Sequence, residues 1–344
     1  MSSNMEYSDH TGLWQSELKP WVPEKIFDAH VHIGRSEDVL AEFSPDRKKL
    51  ALSTYSSLTR ETMDCWHRNL YSGKKISGAC VFPFPLQEID FTRSNHYIIQ
   101  IMKSDQKMKG FLWTDPRDIH LNREIFKKAE KEKVRFTGVK PYFDMLQKDN
   151  FKTNPEEILP KSLLEFINSE NLVIMLHTTG KGVGSTEVRN YLNYITDNFK
   201  NIKIILAHMG RFICPEDFAQ FMHSDLPDNP SVFLETSSAA SQEVYEMALS
   251  NRVLWDKILF GSDIPFGLIS GTEFWSEKSG AIFRTREKYS WSEEGSFGYE
   301  NLTYNTYHTI KALKDAVSSL RMSCGEENYL KERIFSGNAI SLLS

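Results

Sequence analysis

The chain is poor in thiols. It has four cysteines in 344 residues, Cys65, Cys80, Cys214 and Cys324, and no two form a C-x-x-C pair. That excludes a disulfide scaffold and a thiolate zinc site, and it fits a reducing, cytoplasmic compartment. Long apolar runs are missing too. None approaches the roughly 18 residues of a membrane span, and Met1–Trp21 lacks the apolar stretch of a secretory signal. There is no excess of positive charge: 41 Lys and Arg stand against 46 Asp and Glu, a net charge of −5. The basic run Lys127, Lys128, Lys131 and Lys133 is interleaved with Glu124, Glu130 and Glu132, so it reads as a solvated helix face and not as a nucleic-acid footprint. No internal repeat occurs, and no Gly-rich nucleotide fingerprint follows the first apolar run.

What recurs is a short apolar run, then a polar residue, then a helical pattern. The runs are Ile26–Ala29, Gly78–Phe84, Gly110–Trp113, Arg135–Val139, Leu172–Leu176, Ile202–Ala207, Val232–Leu234 and Ile258–Phe260. They are dense in Val, Ile, Leu and Phe and do not alternate cleanly, as expected of parallel strands covered on both faces. Helical spacing recurs between them in Asn122–Lys133, Pro160–Glu170, Ser185–Phe199, Pro215–His223 and Ser241–Ala248. Eight such alternations predict an α/β fold, a (β/α)₈ TIM barrel in one domain over residues 1–344. Residues 1–24 read as an N-terminal extension. Residues 35–75 and 265–318 read as long insertions after strands one and eight, on the side where barrel active sites form. Asn328–Leu343 reads as a closing helix.

Chemistry gathers where apolar runs stop. In Asp28-Ala29-His30-Val31-His32 the two histidines, two residues apart, share a strand face. Neutral imidazole is a common transition-metal ligand, although H-x-H alone is a weak signal. His177 ends the fifth run, His208 the sixth and Asp263 the eighth. A closed barrel would bring all of these to one mouth.

With these residues in place the sequence resembles the amidohydrolase superfamily. It is most similar to the amidohydrolase-related group that includes carboxymuconate-semialdehyde decarboxylases and small-acid hydrolases. The resemblance rests on Asp28-Ala29-His30-Val31-His32, His177, His208, Gly261-Ser262-Asp263-Ile264-Pro265 and Ile334-Phe335-Ser336-Gly337-Asn338-Ala339, and covers residues 26 to 343. It implies that His30, His32, His177 and Asp263 bind a divalent ion, Zn²⁺ first among candidates. It implies Asp263 as general base then acid, and His208 as the group that polarises a carbonyl or binds a second ion. The expected activity is hydrolysis of an amide, lactone or ester in a small molecule. Non-oxidative decarboxylation on the same scaffold, or a barrel that only binds, are the alternatives.

Lys140 ends the fourth run, and Pro141 biases it to an extended conformation. Three roles stay open: carboxylation to bridge two ions, a point charge for a substrate carboxylate, or simple pairing with Glu235. Arg211 is a carboxylate clamp or a surface ion pair. Trp113 and Tyr142, with Phe82 and Phe84, line a substrate pocket or merely pack. Asp28, by alternation on the face of His30 and His32, would orient a ligand. Gly180–Gly184 reads as a flexible connection admitting substrate. The partners expected are a small-molecule substrate and, by the prevalence of two-fold symmetry among soluble enzymes, a second copy in a homodimer.

Overall fold

A computed structural model of the chain describes residues 10–40, 57–180, 182–276, 280–289 and 292–344. Eight parallel strands run in chain order: β1 Lys25–His32, β2 Lys75–Phe82, β3 Met108–Thr114, β4 Gly138–Pro141, β5 Val173–Leu176, β6 Lys203–Leu206, β7 Val232–Glu235 and β8 Ile258–Leu259. Each of the eight apolar runs overlaps a strand. The fourth starts later than expected, at Gly138, because Phe136 is spent on the outer core. The ring is joined beyond β8 by backbone bonds to β1: Ala29 N–H to Phe260 O, His32 N–H to Ile264 O, and Asp263 N–H to His30 O, each 2.8 Å. The fold is a (β/α)₈ barrel.

Two apolar layers hold it. Phe27, Ala29, Cys80, Phe82, Phe111 and Met175 belong to the cluster inside the ring, and a larger cluster joins the strands to the helices. Each large apolar side chain so buried contributes roughly 1.5–3 kcal/mol against an unfolded, exposed reference. Helix starts are set locally. Asp90, Asp118 and Ser241 accept the backbone N–H three residues on, satisfying donors that the first turn leaves open. The tail is helical over Cys324–Glu332 and Asn338–Leu343, with a π turn between. Its Ala339 and Leu343 join the interior cluster, and Asn338 Nδ2 donates to Trp255 O and Ile258 O at 2.9 and 2.7 Å.

The stretch after β1 contains the helix Arg60–Leu70; its residues 41–56 lie outside the described residues. The stretch after β8 contains an antiparallel hairpin, β9 Gly271–Ser276 and β10 Gly280–Thr285, then the helix Asn305–Ser319. Trp14 of the N-terminal segment stacks on Tyr307 of that helix at 5.7 Å. No helix among the described residues is long and apolar enough to cross a membrane.

Candidate metal and active site

The barrel mouth collects side chains from six strand ends. A bulge decides what β1 contributes. Its pairing with β2 slips by one residue between Asp28 and Val31, so the alternation changes phase. His30 and His32 face inward, as expected. Asp28 does not share their face: its carboxylate accepts from His67 Nε2 (3.0 Å) on the helix Arg60–Leu70 and from Ser262 N–H (2.8 Å) and Oγ–H (2.6 Å). Its one tie to the histidines is a backbone bond, from His30 N–H at 3.2 Å.

The carboxylate of Asp263 is the hub. His30 Nε2 lies 3.3 Å and His32 Nε2 3.4 Å from its Oδ1, and Ser238 Oγ donates to Oδ2 at 3.3 Å. One ligand atom each from His30, His208 and Asp263 lie within 4.8 Å of one another, a group able to hold a metal ion. His177 meets His208 edge-on, centroids 5.3 Å apart. So the tightest trio includes His208, with His32 and His177 flanking it. Lys140 Nζ sits 3.2 Å from His30 Nε2 and over the Phe82 ring at 4.6 Å. Glu235 does not pair with it; that carboxylate takes His30 Nδ1 at 2.8 Å and Ser237 Oγ–H at 2.8 Å. Gly261 makes this possible, since a Cβ there would come within 2.2 Å of Glu235 Oε1.

Burial sets the electrostatics. Desolvation holds His30 and His177 well below the usual imidazole range, with nearby Lys140 and Arg211 respectively adding to it, and brings His208 to about 4. These rings are neutral near pH 7, free to offer lone pairs. Desolvation also lowers Lys140 to about 8 and raises Glu235 to about 8. Burial would raise Asp263, but His32 beside it and the charges of His208 and Lys140 keep it below its ordinary value. The site therefore offers an ionised carboxylate, a set of neutral imidazoles and one ammonium.

Above them opens a cavity of about 470 Å³, lined by His32, His177, His208, Asp263, Lys140, Tyr142 and Arg211 among others. Trp113 is not part of it. It is fully buried and packs on Phe91 at 5.0 Å, because the outer core claims its indole. Phe82 and Phe84 lie behind the histidines, against His30 and His32, and not on the cavity wall. Arg211 is neither exposed nor in a surface ion pair: its Nη1 donates to Thr178 O at 3.0 Å and its guanidinium lies 5.2 Å over Phe151. Five residues here hold left-handed backbone, His208, Met209, Arg211, Ser238 and Asp263, at φ +50 to +57°. For side chains other than Gly this costs of order 1 kcal/mol or more each, strain that tends to collect at functional sites.

A family model for amidohydrolases matches residues 85–344. The chain belongs to the amidohydrolase family. No curated protein matches the amidohydrolase by sequence. Among solved structures it is similar to 5-carboxyvanillate decarboxylase from Sphingomonas paucimobilis, at 10% identity and TM-score 0.57, over 93% of this chain and 99% of that one. It is similar to a 2,6-dihydroxybenzoate decarboxylase bound to 2,6-dihydroxybenzoate, at 13% identity and TM-score 0.55, over 93% and 99%. It is also similar to 4-oxalomesaconate hydratase from Rhodopseudomonas palustris, at 13% identity and TM-score 0.51, over 92% and 95%. At such identities the likeness is one of fold.

Sequence reading missed Ser237 and Ser238, which orient Glu235, His208 and Asp263. They lie two and three residues past the end of β7, so the rule that found the histidines, polar residues where an apolar run stops, would have found them. Glu273, on the cavity wall, has no comparable local signal.

Proposed function

We propose that this amidohydrolase is a metal-dependent hydrolase of an amide, lactone or ester bond in a small organic acid. The observation that carries the reading is a pair of buried polar atoms at the cavity floor. Asp263 Oδ1 and His177 Nδ1 have no aligned hydrogen-bond partner. Leaving such atoms unsatisfied costs roughly 1–3 kcal/mol each, more for a charged group, so a ligand is expected to take them. Neutral imidazoles beside a carboxylate suit Zn²⁺. His30, His32, His177 and Asp263 would hold it, with His208 in reach. When bound, the ion supplies Lewis acidity and brings the ionisation of water towards neutral pH.

The protein's own residues do the rest. Asp263 accepts a proton at the carboxylate and returns it to the leaving group. His208 donates Nδ1–H to Ser237 O at 3.1 Å, so the neutral ring turns its Nε2 lone pair to the cavity, where it accepts a proton from substrate or would reach the ion. Lys140 occupies the lone pair of His30 Nε2 that an ion requires. The two cannot share it, so the ammonium turns to the cavity as a positive charge for a substrate anion. Arg211 clamps a carboxylate further out.

Decarboxylation is the second reading. It is favoured by the two cations on the cavity wall and by the fold shared with two decarboxylases. Zinc-loaded protein assayed against lactones, amides and aromatic acids separates the two: acid release without CO₂ supports hydrolysis, and CO₂ release replaces that reading with the second. Neither product from any substrate, with no metal retained, would leave a binding barrel.

A further inference from the structure

The hairpin β9–β10 covers one side of the cavity, and its alternation is informative. Glu273 pairs with Phe283 and Trp275 with Ala281, so these share one face; Phe274 and Arg284 lie on the other, ring and guanidinium 3.6 Å apart. Glu273, Ala281, Ile282 and Phe283 line the cavity. The hairpin thus brings one carboxylate to the cavity wall, and Phe274 is not part of that wall.

Glu273 makes no side-chain hydrogen bond and no ion pair among the described residues. It is exposed on the cavity wall, and the protein about its carboxyl raises it to about 7 against the pull of Arg211. Arg211 lines the same cavity. It spends one guanidinium N–H on Thr178 O and forms no ion pair within 4.0 Å with Glu273. Two opposite charges therefore share one enclosure without joining. The wall about them is apolar, with Phe212, Phe266, Ile269 and Phe283. A ligand that covers this wall takes water away from the carboxylate, a cost offset only if the ligand supplies a donor.

We propose that Glu273 is the specificity-determining residue of the cavity: among small carboxylates held by Arg211, it selects those carrying a hydroxyl or amino hydrogen at their far end. This rests on the cavity being the substrate site, but not on which bond is broken. Selection by hydrogen bonding is sharp because an analogue without the donor strips water from Glu273 and returns no hydrogen bond.

The test is calorimetric binding to the purified full chain. The probes are ω-hydroxyalkanoates of about three to six carbons and 4-hydroxybenzoate, chain lengths chosen to suit a pocket of drug-fragment size. Each is set against the acid with a methyl group in place of that hydroxyl, close to it in shape and without a donor. In the unaltered protein at least one hydroxy acid binds roughly ten- to a hundredfold tighter than its methyl analogue. Glu273→Leu brings that ratio to about one, Glu273→Gln leaves it intermediate, and Arg211→Met weakens acid and analogue alike. Ratios near one across all pairs in the unaltered protein, or a preference that survives in Glu273→Leu, overturn the proposal while the cavity still binds acids. If no acid or analogue binds at all, the substrate-site reading falls with it.

Discussion

Glu235 Oε2 meets His30 Nδ1 at 2.8 Å, with both side chains wholly buried. The contact turns Nε2 to the centre of the site. Ser237 extends the link to His208, its Oγ lying 3.0 Å from that ring's Nδ1. Carboxylates behind a ligating histidine typically contribute 10–100-fold in metal affinity. Glu235→Gln is expected to weaken Zn²⁺ binding by about that factor, read by competition with a chromophoric chelator. Affinity equal to the unaltered protein would show that Glu235 does not act through His30.

Chelation should abolish turnover, and Zn²⁺ should restore it. Asp263→Asn removes the charge at the hub of the cluster, and purified variant protein is expected to retain well under one ion per chain by elemental analysis. Full activity in chelated protein would replace the metal reading with direct acid–base catalysis by the same side chains.

Gly182 stands at φ +64° where an added Cβ would lie 1.5 Å from Arg211 O. This is a close approach of two loops, after β5 and after β6, that only glycine allows. Gly182→Ala should cost about 2–4 kcal/mol in denaturant unfolding and weaken binding of the acid probes by displacing Arg211. An unchanged midpoint would mean that the loops separate freely.

On the helix Asn305–Ser319, His308 accepts from Thr303 N–H at 3.1 Å. Burial, with His10 and Lys311 nearby, lowers it from 6.5 to about 4. A histidine depressed in the folded state adds stability that is present above the unfolded pKa and lost as pH falls through the folded one. The window runs from pH 6.5 down to about 4. At about 1.4 kcal/mol per pKa unit the ceiling is roughly 3.5 kcal/mol. Partial exposure and neighbouring charge make about 2 the expectation. His308→Gln, which keeps an acceptor for Thr303, should show a shallower loss of melting temperature over that window. Parallel curves for the two proteins would remove His308 from the acid response.

The amino-acid order by itself determined the eight apolar runs and the polar residues that end them. Both follow from short-range rules: strands covered on two faces must be apolar throughout, and the chain can place a charge only where the covering stops. His30, His32, His177, His208 and Asp263 were legible for that reason. Only the tertiary structure decided how these ends meet. The bulge in β1 moved Asp28 off the histidine face, although strict alternation put it there. Packing took Trp113 into the outer core, and an identical strand-end position gave Lys140 to the cavity. Glu273 faces the site because the whole hairpin folds back over the barrel mouth, a long-range placement that no local pattern of residues encodes.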